Sequence, residues 1–381
     1  MTAAELRHDH LSIIRALSGA EQSRADLGRT LGWARNTVSS RLDDLLAGGW
    51  IVESGDQLSG RGRPSALFRL NEDNILVFVA SFGKDQVTAT IATIGGAVLA
   101  RSVIDGYSLG AAGSDGPADA ARLRDELVAE AGVSAELIRI AVVGVTGPVE
   151  DNKSMPMYAD LTVDGASFER ALGIPVVVEN DANLMALGLL PTLDAQSRSL
   201  VFVKVATGIG AGLIIDGRLH RGLRGLAGEL GHIPVAHGDG IPCNCGNYGC
   251  VGEVASAPAI LNQVRNDGLD VASLDELQPL VAAGNQIAIA TLRQAGRDIG
   301  EAMIGLVTAI APDVLVMGGR VVGLGDHLMT GLRETLYSRA LPATTSRLRI
   351  ESIRDAEDAA VRGALVMGFD RLFPHEPSAT A

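Results

Sequence analysis

All three cysteines of this 381-residue chain, Cys243, Cys245 and Cys250, fall within eight residues, and His232 stands eleven positions before the first of them. Three sulfur donors and one imidazole complete a tetrahedral Zn2+ shell with no open coordination position. A metal held by His232, Cys243, Cys245 and Cys250 is therefore expected to be structural: it would pin loops together and activate no water. The alternative is three unligated thiols packed as small apolar side chains. In a cytoplasmic protein, the location expected below, three clustered cysteines point to metal rather than to disulfides.

The chain exceeds one ordinary domain, so two or three are expected. No apolar run reaches the ~18 residues that a membrane span needs. The start, MTAAELRHDHLSIIRAL, is amphipathic and carries acids, unlike a secretory leader, so a cytoplasmic protein with no membrane partner is expected. A net charge of −13 argues against a chain that coats nucleic acid generally. The charge is uneven, however. Residues 1–70 carry nine Arg against eight Asp or Glu, a balance of +1, which leaves −14 for the remainder. Only this Arg-bearing head suits an anionic partner.

Within the head, Leu6, His10, Ile13, Ile14 and Leu17 recur at helical spacing, which predicts a helix over 5–17. Ser23 with Asp26 forms a capping box for a second helix, 24–31, that stops at Gly32. A third helix, 34–47, buries Val38, Leu42, Leu45 and Leu46 and turns Asn36, Ser40 and Asp43 outward, flanked by Arg35, Thr37, Ser39 and Arg41. Short strands at 50–52 and 67–70 flank a polar, Gly-rich excursion. This order predicts a winged helix-turn-helix domain over 1–70 that binds operator DNA. Arg35, Asn36, Thr37, Ser40 and Arg41 are the expected groove contacts. Arg61 and Arg63, in Gly60-Arg-Gly-Arg-Pro64, suit a narrow minor groove. A small helical bundle with a solvated polar face is the alternative.

From residue 71 the character changes. An apolar strand at 75–79 leads to an alternating one at 87–94, a Gly95-Gly96 turn and a strand at 97–99. About 125 residues on, a strand at 200–203, a Gly-rich turn, a strand at 213–215 and residues 218–219 repeat the design, hinting at a duplicated α/β lobe. Between them come a linker at 110–117, a helix over 118–131 and strands at 140–145 and 174–178. A long helix over 287–310 precedes a strand at 314–317.

Four stretches closely resemble the ROK family of repressors, open reading frames and sugar kinases. They are Ala206-Thr-Gly-Ile-Gly-Ala-Gly212; Asp216-Gly-Arg-Leu219 with Arg221-Gly222; Ala227-Gly-Glu-Leu-Gly-His232; and Cys243-x-Cys-Gly-x-x-Gly-Cys250. The resemblance covers about residues 71–370, and with the head the whole chain resembles a ROK transcriptional repressor. It implies an α/β, duplicated actin-like (ribonuclease-H-like) sugar-kinase fold in two lobes, 71–190, completed by a C-terminal helix at 357–373, and 191–356, which carries the zinc site. A sugar effector would lie between the lobes, and a homodimer or homotetramer is the family expectation.

Sugar hydroxyls need converging donors and acceptors in a dry cleft. Asn180 and Asp181 follow the strand at 174–178, Glu229 and His232 lie on the segment a metal would hold, and Glu253 follows the cysteines. These five are the expected sugar contacts. Taken alone, Asn180-Asp181 also fits a turn or helix cap. His232 is expected to bind zinc through one nitrogen and to offer the other to the sugar. In the family's kinases the residue matching Asp181 is the general base. Two departures touch selectivity: Gly252 stands where the family has a sugar-contacting Glu, and Ala159-Asp-Leu-Thr162 replaces an Asn-Leu-Pro-like segment.

The kinases of the family hold ATP with an Asp-x-Gly-Gly-Thr-like loop. Here Ser81-Phe-Gly-Lys-Asp85 takes its place, with Ser81 for the acid, Lys84 for a glycine and Asp85 for the threonine; Ala206 replaces a glycine in the second phosphate loop. Loss of kinase activity, with no catalytic residue, is therefore expected. The rivals are a sugar kinase bearing a DNA-binding head, with Asp181 as base, and a regulator controlled by a protein partner.

Overall fold

A computed structural model describes residues 5–57, 65–109, 113–155, 163–194 and 197–374. Arg61, Arg63 and the segment 159–162 lie outside these residues.

Ser23 caps the helix Arg24–Leu31 as its spacing predicts: its side chain accepts from the Asp26 N–H while the Asp26 carboxylate accepts from the Ser23 N–H. Gly32, at φ 68°, ends that helix in the left-handed region, where a side chain would be strained. The first helix is His8–Leu17, three residues shorter than its periodicity suggests, and the third is Arg35–Ala47. The expected stripe is buried, with Val38, Leu42 and Leu45 packed against Ile13, Ile14, Leu27 and Trp50. The hairpin is longer than its apolar residues suggest. Strands Ile51–Gln57 and Ser65–Leu70 pair antiparallel with an irregularity between Glu53 and Gly55, and Gln22–Ser23 adds a third strand. Backbone pairing, indifferent to side-chain polarity, carries the ladder into the polar excursion.

Two five-stranded sheets form the body. The first runs, in spatial order, Val176–Asn180, Ile138–Val145, Leu76–Phe82, Gln86–Thr93 and Val98–Asp105. The second runs Arg218–Leu219, Ile209–Ile215, Leu200–Val205, Val314–Gly318 and Arg349–Ser352. In each, the first strand lies centrally and pairs antiparallel with the second and parallel with the fourth. The repeated strand–turn–hairpin pattern is thus a true duplication of the actin-like unit. Each sheet is apolar on both faces, because helices cover both.

Two helices lie between the sheets. Asp181–Leu189 packs on the second sheet, Ala356–Leu372 packs on the first, and the two cross each other. The crossing is close because it is made of glycines. A Cβ on Gly188 would sit 1.8 Å from the Ala359 carbonyl oxygen, and one on Gly363 1.8 Å from that of Leu184. Gly363→Ala is therefore expected to cost about 2–3 kcal/mol through forced separation of the helices. Urea unfolding checks this; a shift below about 0.5 kcal/mol would mean the helices part freely.

The head rests on the end of the second of these helices. Trp50 meets Phe373 edge-to-face at 5.7 Å, and Phe373 meets Phe369 at 4.9 Å. Arg15 donates to the Phe373 carbonyl, pairs with Asp370 at 3.6 Å and covers the Phe369 ring. Arg139, from the first sheet, stacks over the other part of Trp50 at 5.1 Å. No helix among the described residues is long and apolar enough to cross a membrane.

Candidate functional site: a cysteine-clamped cleft

The loop after His232 is folded so that its four donors converge. Pro234 bridges Cys250 and Pro242 bridges Tyr248, while Val235 donates to the Gly249 carbonyl and Val251 to that of Ile233. The Cys243 N–H donates to the Asn247 carbonyl at 2.9 Å, closing a tight knuckle around Cys245. The ligand atoms of His232, Cys243, Cys245 and Cys250 all lie within 4.8 Å of one another. His232 Nδ1 is 3.5 Å from Cys243 Sγ, and the sulfurs of Cys245 and Cys250 are 3.6 Å apart. These edges match a tetrahedron around an ion with metal–sulfur bonds of about 2.3 Å. Burial, with the neighbouring sulfurs, pushes the Cys250 thiol up to about 12 and also raises Cys243. Without a cation such thiols keep their protons; a bound cation takes them as thiolates. Donor type, spacing and enclosure all fit a structural metal.

The clamped segment is pressed onto the second lobe. A Cβ on Gly228 would sit 1.9 Å from the Ala211 carbonyl oxygen, and one on Gly231 2.4 Å from that of Ile209. Only glycine permits that approach, and it fixes Glu229 and His232 along the strand Ile209–Ile215. The start of helix Asp181–Leu189 packs on the same strand, where a Cβ on Gly212 would meet the Ala182 carbonyl oxygen at 2.3 Å. One strand thereby packs against both the start of the Asp181 helix and the Glu229–His232 segment. Glu253 is exposed on the short helix Gly252–Ala255, close enough for its charge to act on His232. Burial first, and then the Lys84 ammonium, depress the His232 pKa, opposed by Glu253. Gly252 is itself confined: a Cβ there would lie 3.1 Å from the Gly231 carbonyl oxygen.

Asn180 and Asp181 divide their work. Asn180 caps the helix, accepting from the Asn183 N–H at 3.0 Å, and its amide donates to the Gly147 carbonyl at 3.0 Å. The cap reading of this pair thus describes Asn180, whose side chain is largely committed to the fold. Asp181 is 6% exposed and meets a residue that sequence reasoning missed. Lys204 Nζ donates to Asp181 Oδ2 at 2.6 Å, and Thr146 Oγ1 reaches the same oxygen at 3.3 Å. Burial works against the Lys204 charge, but Asp181, Glu357 and Asp85 outweigh it and raise its pKa. A lysine inside the apolar strand Leu-Val-Phe-Val-Lys204-Val was the available signal. Glu179, 3% exposed, was also missed; it pairs with Arg221 at 2.8 Å and accepts from Asn183.

On the head, Arg35, Asn36, Thr37 and Ser40 share the exposed side of helix Arg35–Ala47. Arg41 does not join them. It is half-buried, turned onto Asp9 and Asp44, and braces the first helix against the third.

A head of three helices and a small antiparallel sheet on a duplicated, two-lobed actin-like body defines the class of fold. Residues 124–370 match the ROK family, and the chain belongs to it. It is 26% identical over 368 residues to the xylose repressor of Caldicellulosiruptor bescii, covering 91% of each chain. A ROK family transcriptional regulator, homolog of the E. coli MLC protein, shares the fold over 96% of this chain and 97% of its own, with a TM-score of 0.76 and 24% identity. The ROK hexokinase of Thermus thermophilus matches with a TM-score of 0.58 and 27% identity, covering 97% of itself but 76% of this chain.

Proposed function

We propose that this protein is a sugar-responsive, DNA-binding transcriptional repressor whose cleft binds a sugar and thereby changes the affinity of its head for operator DNA. The observation that carries the reading is the head itself. The hexokinase, matched over nearly its whole length, leaves about a quarter of this chain uncovered, whereas the repressor match covers 91% of this chain and the regulator match 96%.

In this reading a structural Zn2+ on His232, Cys243, Cys245 and Cys250 supplies rigidity only. Glu229, His232, Asp181 and Glu253 meet the sugar hydroxyls, with Asn180 holding the strand-to-helix turn. Arg35, Asn36, Thr37 and Ser40 meet base edges and phosphates, helped by Arg61 and Arg63. The active unit is a homodimer or homotetramer that presents two heads to two half-sites. The wing arginines are expected to matter for DNA alone. Arg61→Ala with Arg63→Ala should weaken operator binding about tenfold or more and flatten its salt dependence, with sugar affinity unchanged. Anisotropy titrations at two salt concentrations read both effects.

The second reading, a sugar kinase with a DNA-binding head, has support in the hexokinase match. Against it stand the substitutions at Ser81, Lys84 and Asp85 in the first hairpin turn. Lys204 and Thr146 engage one oxygen of Asp181 and hold the side chain in place, leaving its other oxygen to accept from a ligand hydroxyl. A phosphorylation assay with ATP, Mg2+ and a panel of sugars decides between them. Turnover is expected to be absent, and Asp181→Ala is expected to remove sugar binding. Turnover that Asp181→Ala abolishes would establish the kinase instead.

A further inference from the structure

Residues 221–226 follow Arg218–Leu219, the edge strand of the second sheet, and reach the first lobe at two places. The Arg221 side chain donates to Glu179 Oε2 at 2.8 Å, on Val176–Asn180, the edge strand of the first sheet. The Arg224 side chain donates to Glu150 Oε2 at 2.9 Å, on the hairpin 149–154. Beside that second pair the backbones touch. A Cβ on Gly225 would sit 2.2 Å from the Val149 carbonyl oxygen, and Gly225 has φ 73°.

Both receiving points are fixed parts of the first lobe. The hairpin is fastened to the sheet by Asn152, whose side chain donates to the Val176 carbonyl at 3.0 Å and accepts from the Val178 N–H at 2.6 Å. Glu179 is buried, and its other oxygen accepts from the Asn180 N–H at 2.9 Å and the Asn183 side chain at 3.0 Å. On the second lobe, the Ala227 N–H donates to the Arg221 carbonyl at 3.0 Å. That bond closes the segment into a strap that leads directly into Gly228 and Glu229.

The strap is held against its own preferences. Arg224 has φ 56° and ψ 25°, a left-handed conformation that costs a residue with a side chain on the order of 1 kcal/mol. Leu223 is 82% exposed, so burial of its apolar side chain does not secure the strap. Two ion pairs and one backbone contact secure it instead. Partly exposed ion pairs release far more readily than a packed apolar interface. There is also room for the inner pair to part. A cavity of about 370 Å3 lies beside Arg221 and Glu179, bounded by Asp151, Asn152, Met367 and Asp370. Asp370 is the residue that pairs with Arg15 of the head.

We infer that residues 221–226 are a latch between the lobes: Arg221 on Glu179, Arg224 on Glu150 and Gly225 on Val149 hold the lobes at one separation before any ligand binds. The latch joins the Asn180–Asp181 turn of the first lobe to the Glu229 segment of the second. It thereby preorganises the two sets of groups that the sugar reading assigns to the ligand. That consequence rests on the sugar reading; the latch itself does not.

Pulsed electron resonance on the full-length, zinc-loaded protein tests it. Nitroxide labels are placed on unnatural residues at Glu130 in the first lobe and Gln278 in the second, both exposed, which leaves the native thiols to the metal. The unliganded protein is expected to give one narrow distance peak. Glu150→Arg and Arg224→Glu should each broaden it at least about twofold, and the two together, which restore the pair with its charges exchanged, should bring the narrow peak back. Arg221→Met should broaden it further, because Glu179 is left buried without its partner charge. Where a sugar binds, Arg221→Met should weaken it about tenfold. Thermal unfolding of each variant confirms that it is folded, and the two partly exposed positions, 150 and 224, carry the test if Arg221→Met is not. A peak unchanged in Glu150→Arg and Arg224→Glu, or broadened in both with no recovery in the exchanged pair, would overturn the latch and leave the sugar reading standing. Distances that respond as stated in a protein that binds no sugar would sink the sugar reading alone.

Discussion

Cys250→Ser is expected to release the metal, lower the melting temperature by about 5–10 °C and reduce sugar affinity at least about a hundredfold. The three effects have one origin. Cys250 is fully buried, and its isolated bridge to Pro234 ties it to the residues that follow His232. A serine oxygen is a poor substitute for a soft thiolate in such a shell. With the ion gone, the segment carrying Glu229 and His232 is held less firmly on the strand Ile209–Ile215. Sugar contacts that must converge to within fractions of an ångström are then lost to loop entropy. Zinc content measured on purified protein, with thermal unfolding and calorimetry, reads all three. A variant that keeps one zinc per chain and full sugar affinity would show that the cysteines do not clamp the cleft.

Phe373→Ala is expected to separate the two halves of the protein's work. Sugar binding and DNA binding should each survive, while the dependence of one on the other falls from at least tenfold to less than about twofold. A chain of contacts joins Asp181 to the head. Asp181 begins the helix Asp181–Leu189, which crosses Ala356–Leu372 through the Gly188 and Gly363 contact. That second helix ends in Phe369, Asp370 and Phe373, which hold Trp50 and Arg15 of the head. In the proposed reading, a sugar that closes the cleft would shift the first helix, and closely packed helices move as units rather than deforming. Phe373 is fully buried, so its loss also costs stability, about 3 kcal/mol. Operator titrations of the variant with and without ligand provide the check. Undiminished coupling would place the route elsewhere.

Different parts of this account were legible in the sequence for different physical reasons. Cysteine and histidine are scarce enough in this chain that four donors in nineteen residues stood out without any structure. Ser23 with Asp26 announced a helix start because capping is local chemistry. The duplication showed only faintly in the apolar runs, since sheet order is set by contacts far apart in sequence. Lys204 was passed over because one polar residue in an apolar strand says nothing of what it faces; the partner, Asp181, is 23 positions away. Arg41 was assigned to DNA from its place on the helix, but the acids that claim it include Asp9, which belongs to another helix. The contact of Trp50 with Phe373 joins positions more than three hundred residues apart and has no sequence signature at all.

The central claim is that sugar in the cleft changes the grip of the head on DNA. The most direct measurement is fluorescence anisotropy of a labelled duplex, selected by the protein itself from a random pool, at fixed salt with and without saturating sugar ligand. The account predicts at least a tenfold shift in Kd, about 1.4 kcal/mol of coupling, that disappears in Asp181→Ala. An operator affinity that stays the same when calorimetry shows the cleft to be filled would contradict it.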